Sequence, residues 1–160
     1  MKTLVIFYSL EGNTRFISKI IAKELNADIL ELKTKKEYPS TGFKKYFWGG
    51  KSVVFKEKPV LINDKVDLGL YDNVIIGTPI WAGTYAAPYN TFLKEYNFFG
   101  KKIALFACQG GGSTKKCFKM FKEALDGNQF IGEIDFMDPL TNDKDTNAKK
   151  AADWAKGLKF

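Results

Sequence analysis

A chain of 160 residues, 45% of them hydrophobic, can build one core but is short for two. Its formal charge of +7 favours anionic partners. The absence of histidine removes the commonest acid–base group near neutral pH, the Ser–His and Cys–His nucleophile pairs and most zinc sites, so any chemistry needs a cofactor. The first apolar run, residues 4–8, is too short for a membrane span or a signal peptide, so the chain is expected to be cytoplasmic, with no membrane association. Cys108 and Cys117 form no CxxC pair and are expected to stay reduced.

Strand and helix signals then alternate. Residues 2–8 read as a buried strand. Residues 14–25 read as a helix with Ile17, Ile20, Ile21 and Leu25 on one face. Strand patterns follow at 27–33, at 73–77, ending in glycine, at 102–108 and at 130–136. Helical patterns lie at 88–98, 113–125 and 141–158, the last with Ala148, Ala151, Ala155 and Leu158 on its inner side. Five strands alternating with helices predict an α/β fold, one doubly wound five-stranded parallel sheet with helices on both faces. In such sheets ligands bind beyond the carboxyl ends of the strands, where strand order reverses.

Three strand-end loops carry the chemistry. The first holds Ser9, Glu11, Gly12, Asn13 and Thr14 and opens a helix, whose N–H groups and dipole suit an anion; no GxxxxGK[ST] is present. The same residues also fit an N-cap turn with Asn13 or Thr14 as the cap. The second holds Thr78, Pro79, Ile80, Trp81, Ala82, Gly83 and Tyr85, in which the rings offer a stacking surface or Trp81 plugs the sheet end. In the third, Cys108, Gln109, Gly110, Gly111 and Gly112 let backbone donors lie against a ring edge, or form a connector before a Ser113 cap. A phosphate site, a stacking surface and an edge-binding loop together match the three parts of FMN.

Those loops resemble the flavodoxin family. Residues 9–14 are similar to its (S/T)xTGNT phosphate loop, residues 78–85 to its first flavin-flanking loop, and residues 108–113 match the position of the second. The resemblance implies strand order 2-1-3-4-5, non-covalent FMN and one-electron shuttling between redox protein donors and acceptors. It also implies that the Ala82–Gly83 peptide rotates so that a carbonyl meets N5–H of the reduced flavin. Three departures stand out. Glu11 replaces the usual hydroxyl residue, Thr114 sits near the place of the usual tyrosine, and the chain is basic where the family is acidic.

Residues 1–160 are expected to form a single domain, with residues 34–70 as a basic aromatic insert between the second and third strands. Residues 33–58 hold eight lysines and two acids, +6, leaving +1 for the rest. A helix is expected over 42–54, broken at Gly49–Gly50, with Trp48 able to cover the open flavin face; a solvated lysine face over an aromatic cluster is the alternative. Glu11 is the only acid in the three loops, so the lysines are expected to make the flavin's low-potential couple less negative and to favour acidic partners. An FMN-dependent NAD(P)H oxidoreductase acting on quinones or other small acceptors is the competing reading. A phospho-receiver lacks its acidic pair after strand one. No groove-reading motif supports nucleic-acid binding.

Overall fold

The computed structural model describes residues 1–39, 50–51 and 56–160. In chain order the elements are β1 (Thr3–Phe7), α1 (Asn13–Leu25), β2 (Asp28–Glu31), a 3-10 turn (Leu68–Leu70), β3 (Asn73–Trp81) and β4 (Thr84–Tyr85). There follow α2 (Pro88–Glu95), β5 (Lys102–Gln109), α3 (Lys115–Ala124), β6 (Gln129–Met137) and α4 (Lys144–Gly157).

The sheet runs β2-β1-β3-β5-β6, all parallel. Counting parallel strands alone, this is the expected order 2-1-3-4-5. The sixth strand, β4, is unforeseen and pairs antiparallel with the end of β3.

Alternation along the strands sorts the core into two layers. Leu4, Ile6, Val74, Ile76 and Leu105 face Tyr89 and Phe92 of α2 and Phe118 and Phe121 of α3. Val5, Phe7, Ile75, Ala104 and Phe106 face Ile17 and Ile21 of α1 and Ala151 and Ala155 of α4. Both faces are covered, so the central strands read as continuous apolar runs. Each large side chain buried there contributes about 1.5–3 kcal/mol.

The helix ends follow local chemistry. Asn26 closes α1 in a left-handed conformation, its N–H turned back to Ala22 and Lys23. Pro88 opens α2, and the Asp143 side chain accepts from the Thr146 N–H at the start of α4. Lys101 is buried, and its Nζ donates to the carbonyls of Leu68 and Tyr71 at 2.7 and 2.6 Å, fixing the turn that leads into β3.

Beyond β2 the chain leaves the sheet and returns beside itself. Thr34 bridges Leu61 antiparallel, the Lys35 N–H donates to Val60 and the Ile62 N–H to Lys33. Of the expected helix at 42–54, Gly50 and Lys51 are helical; the other residues, with Trp48, lie outside the described ones. Among the described residues, no helix is long and apolar enough to cross a membrane.

Candidate functional site

The carboxyl ends of β1, β3 and β5 converge on a cavity of about 400 Å³, within the range usual for small-molecule sites. Of the predicted residues, Ser9, Glu11, Asn13, Thr14, Pro79, Ile80, Trp81, Ala82, Cys108, Gln109 and Gly110 line it. Gly12, Thr78, Gly83, Tyr85, Gly111 and Gly112 do not. Leu10, Gly50, Asp138, Leu140 and Thr141 line it without having been anticipated.

The first loop is organised by Ser9. Its Oγ accepts from the N–H groups of Gly12 and Arg15 at 3.2 and 3.1 Å. Neither Asn13 nor Thr14 caps α1, because Gly12 occupies the N-cap in the left-handed region with φ +95° and no side-chain cap bond. Asn13 Oδ1 instead accepts from the Leu140 N–H at 3.0 Å and joins this loop to the one after β6. Thr14 is buried, its side chain against the Cys108 thiol. Arg15 is turned aside: its Nε donates to both carboxylate oxygens of Glu31 at 3.0 and 3.1 Å.

The second loop is a hairpin. Ile80 pairs with Tyr85 and Trp81 with Thr84, leaving Ala82 and Gly83 as a two-residue turn with φ +45° and +79°. Two left-handed residues make a type I′ turn, whose twist matches its strands. Rotating the central peptide gives a type II′ turn, whose first position takes glycine; Ala82 resists that rotation where a glycine would not. Thr78 is buried, its hydroxyl accepting from the Ala86 N–H at 3.0 Å. Tyr85 packs on Phe121, ring centroids 4.5 Å apart.

Trp81 is 8% exposed. It meets Tyr8 and Tyr38 edge-on, centroids 5.6 and 5.0 Å away, while still lining the cavity. Burial raises the Tyr8 phenol, and raises that of Tyr38 to about 12 with Glu57 adding to the shift, so both rings carry neutral hydroxyls.

In the third loop Gln109 folds the chain back: its Oε1 accepts from the Gly111 N–H and its Nε2 donates to Asp135 at 3.1 Å. Burial pushes the Cys108 thiol to about 12, making it an unreactive wall rather than a nucleophile.

The fourth wall, residues 138–141, carries no motif; its only signals are Asp138-Pro139 after a strand and the need to turn into α4. Asp138 has φ +41° and lies against Gly110, where an added Cβ would stand 3.6 Å from its Oδ2. The described cavity lining therefore contains two acids, Glu11 and Asp138, and neither lysine nor arginine. Glu11 is the only acid of the three predicted loops; the loop after β6, which folds over the third loop, adds Asp138 to the lining.

The family model described as flavodoxin matches residues 2–154. Flavodoxin 1 of Escherichia coli K12 is 28% identical over 127 residues, 77% of this chain, and the chain spans only 56% of that relative's length. A flavoprotein from Lactobacillus acidophilus, solved in complex with FMN, superposes with a TM-score of 0.71 at 27% identity, covering 89% of this chain and 97% of its own. A solved structure from Bacteroides uniformis gives 0.81 at 24% identity, covering 97% of each chain, which shows the fold. With the strand order, the strand-end cavity and this match along nearly its whole length, the chain belongs to the flavodoxin family.

Proposed function

We propose that this chain binds FMN non-covalently in the strand-end cavity and carries electrons between redox proteins. The observation that carries this reading is the convergence of all three predicted loops on one cavity of suitable volume. FMN fits the residues present. Its phosphate suits the N-terminus of α1, where the left-handed Gly12 turns the backbone and the Ser9 and Thr14 hydroxyls stand close by. Its ring suits the space between Pro79–Ala82 and Cys108–Gly110. Bound there, FMN supplies reversible one-electron chemistry. The protein's part is to hold it, to keep water from its inner side with Trp81 and Ile80, and to place backbone donors at its edge.

Because neither lysine nor arginine is among the described lining residues, phosphate affinity is expected to come from backbone and hydroxyl donors. Charge-assisted bonds of this kind contribute roughly 1.5–3 kcal/mol each, so two of them predict at least about 100-fold weaker binding of riboflavin than of FMN by calorimetry. Equal affinity for both would reduce residues 9–14 to a helix start.

Trp81 is placed to report on the ligand. FMN should quench its fluorescence, and Trp81→Phe should remove most of that quenching. Unchanged quenching in the variant would assign it to Trp48 or Trp154 and remove Trp81 from the ligand's surface.

The charge of the described lining acts on the flavin in the direction opposite to that expected from the lysines of residues 33–58. A carboxylate near the flavin disfavours the reduced anion and lowers its potential. Asp138→Asn should therefore make the low-potential couple less negative by roughly 20 mV or more, taking a unit charge at about 10 Å in a water-like medium. A spectroelectrochemical titration checks this; an unshifted potential would place Asp138 electrostatically remote.

Asp138 in the described lining weighs against direct turnover with NAD(P)H, since its carboxylate disfavours a phosphorylated nicotinamide at that wall. Steady NAD(P)H oxidation by the loaded protein alone would decide for the enzyme reading.

A further inference from the structure

The ribbon beyond β2 presents a face that plays no part in the cavity. Thr34 and Leu61 point inward: Thr34 is buried and Leu61 packs against the core. Their neighbours in register, Lys33 opposite Ile62 and Lys35 opposite Val60, point outward. Val60 is 63% and Ile62 59% exposed, and both lysines are exposed beside them. Lys58, two residues before Val60, is exposed as well.

This face is built rather than loose. Asn63 Oδ1 accepts from the Lys33 N–H at 2.7 Å, and its Nδ2 donates to the Glu31 carbonyl at 2.6 Å. From α2, Thr91 donates to the Pro59 carbonyl and Asn90 to that of Glu57. Among the described residues, Lys33, Lys35 and Lys58 form no ion pair, whereas Lys119 and Lys122 on α3 pair with Glu123 and Glu133. The ribbon also adjoins the cavity: three residues beyond Lys35, Tyr38 packs edge-on against Trp81, a cavity wall.

We infer that this face docks an acidic redox-protein partner, whose carboxylates meet Lys33, Lys35 and Lys58 while apolar side chains cover Val60 and Ile62. The inference rests on the electron-carrier reading above. The surface combines unpaired positive charge with a small apolar centre, the composition that steers an acidic surface and then holds it. Anionic lipid and nucleic acid fit less well: the described face offers two short β-branched side chains and no aromatic ring to insert or stack. Its adjacency to the cavity serves electron transfer and neither of those.

The test is a titration of the ¹⁵N-labelled, FMN-loaded protein with an oxidised, acidic plant-type [2Fe–2S] ferredoxin. Amide shifts are expected at residues 33–36 and 58–62. The doubly reversed variant Lys33→Glu/Lys35→Glu should bind about tenfold or more weakly at low ionic strength, with a flattened salt dependence. Val60→Ser/Ile62→Ser should weaken binding at every salt concentration. Circular dichroism confirms that these surface variants fold. Shifts confined to other faces, unchanged affinity in both variants, or lysine-dependent binding to phosphatidylglycerol vesicles or duplex DNA without ferredoxin binding would overturn the inference. Repeating the titration without FMN, with loading read by absorbance, separates the two readings: a protein that takes up no FMN refutes the cofactor assignment, whereas the position of the shifts decides the docking face.

Discussion

Replacing Gly12 by valine is expected to abolish FMN binding while leaving the sheet folded. Gly12 holds φ +95° at the start of α1, a conformation that costs a β-branched residue more than the roughly 1–2 kcal/mol charged to an ordinary side chain. An added Cβ would also stand 3.2 Å from Leu140 Cδ1. The sequence alone suggests that valine would fill the anion's space and disfavour a left-handed backbone. The structure favours the second route: Gly12 does not line the cavity, so the side chain acts by deforming the loop and pushing it off the 138–141 wall. Gly12→Ala should fall between the two. Titration of FMN fluorescence measures the affinity and far-ultraviolet circular dichroism the fold. Binding by the valine variant within threefold of the parent would show that loop geometry is not what holds the cofactor.

The second large effect concerns stability. Gly77 lies in β3 between Phe7 of β1 and Phe106 of β5. A Cβ there would come within 2.0 Å of Phe106 Cζ and 2.3 Å of Cε1. Phe106 is fully buried, so its ring has no free space to move into. Gly77→Ala should cost about 1–3 kcal/mol or more, lowering the melting temperature by roughly 3–10 °C in a chain of this size. The carbonyl of Gly77 adds a second constraint: it accepts the buried Tyr89 hydroxyl at 2.6 Å and the Tyr8 N–H at 3.3 Å. Moving the strand to relieve the ring would break both bonds. An unchanged urea midpoint would mean that Phe106 repacks without cost.

The core was the most legible part. Residues 74–76 and 103–107 are apolar runs because α-helices cover both faces, and the helix at 14–25 kept its predicted inner residues Ile17 and Ile21. Boundaries slipped where tertiary pairing decides them. β3 runs on to Trp81 because Thr84 and Tyr85 fold back onto it, and Ala-Gly is not a common pair for such a turn. The strand ending at Glu31 is shorter than its 27–33 pattern because the chain then turns to meet residues 60–62. Within the site, positions defined by chain order were readable and those defined by depth were not. Glycines 111 and 112 follow the third strand end as the motif suggests, yet Gln109 folds the loop back and only Gly110 reaches the cavity. Asp138-Pro139 marks a turn but nothing local marks Asp138 or Leu140 as cavity residues, because their place depends on how the loop after β6 crosses toward Asn13.

The hydrogen bond from the Leu140 N–H to Asn13 joins residues 127 positions apart. During synthesis, Asn13 leaves the ribosome long before its partner exists. The anion loop has no wall to close against until residues 138–141 have emerged. At typical elongation rates of about 5–20 residues per second, that interval lasts roughly 6–25 s. A nascent chain stalled short of residue 138 lacks the wall that Asn13 closes against and is expected not to retain the cofactor.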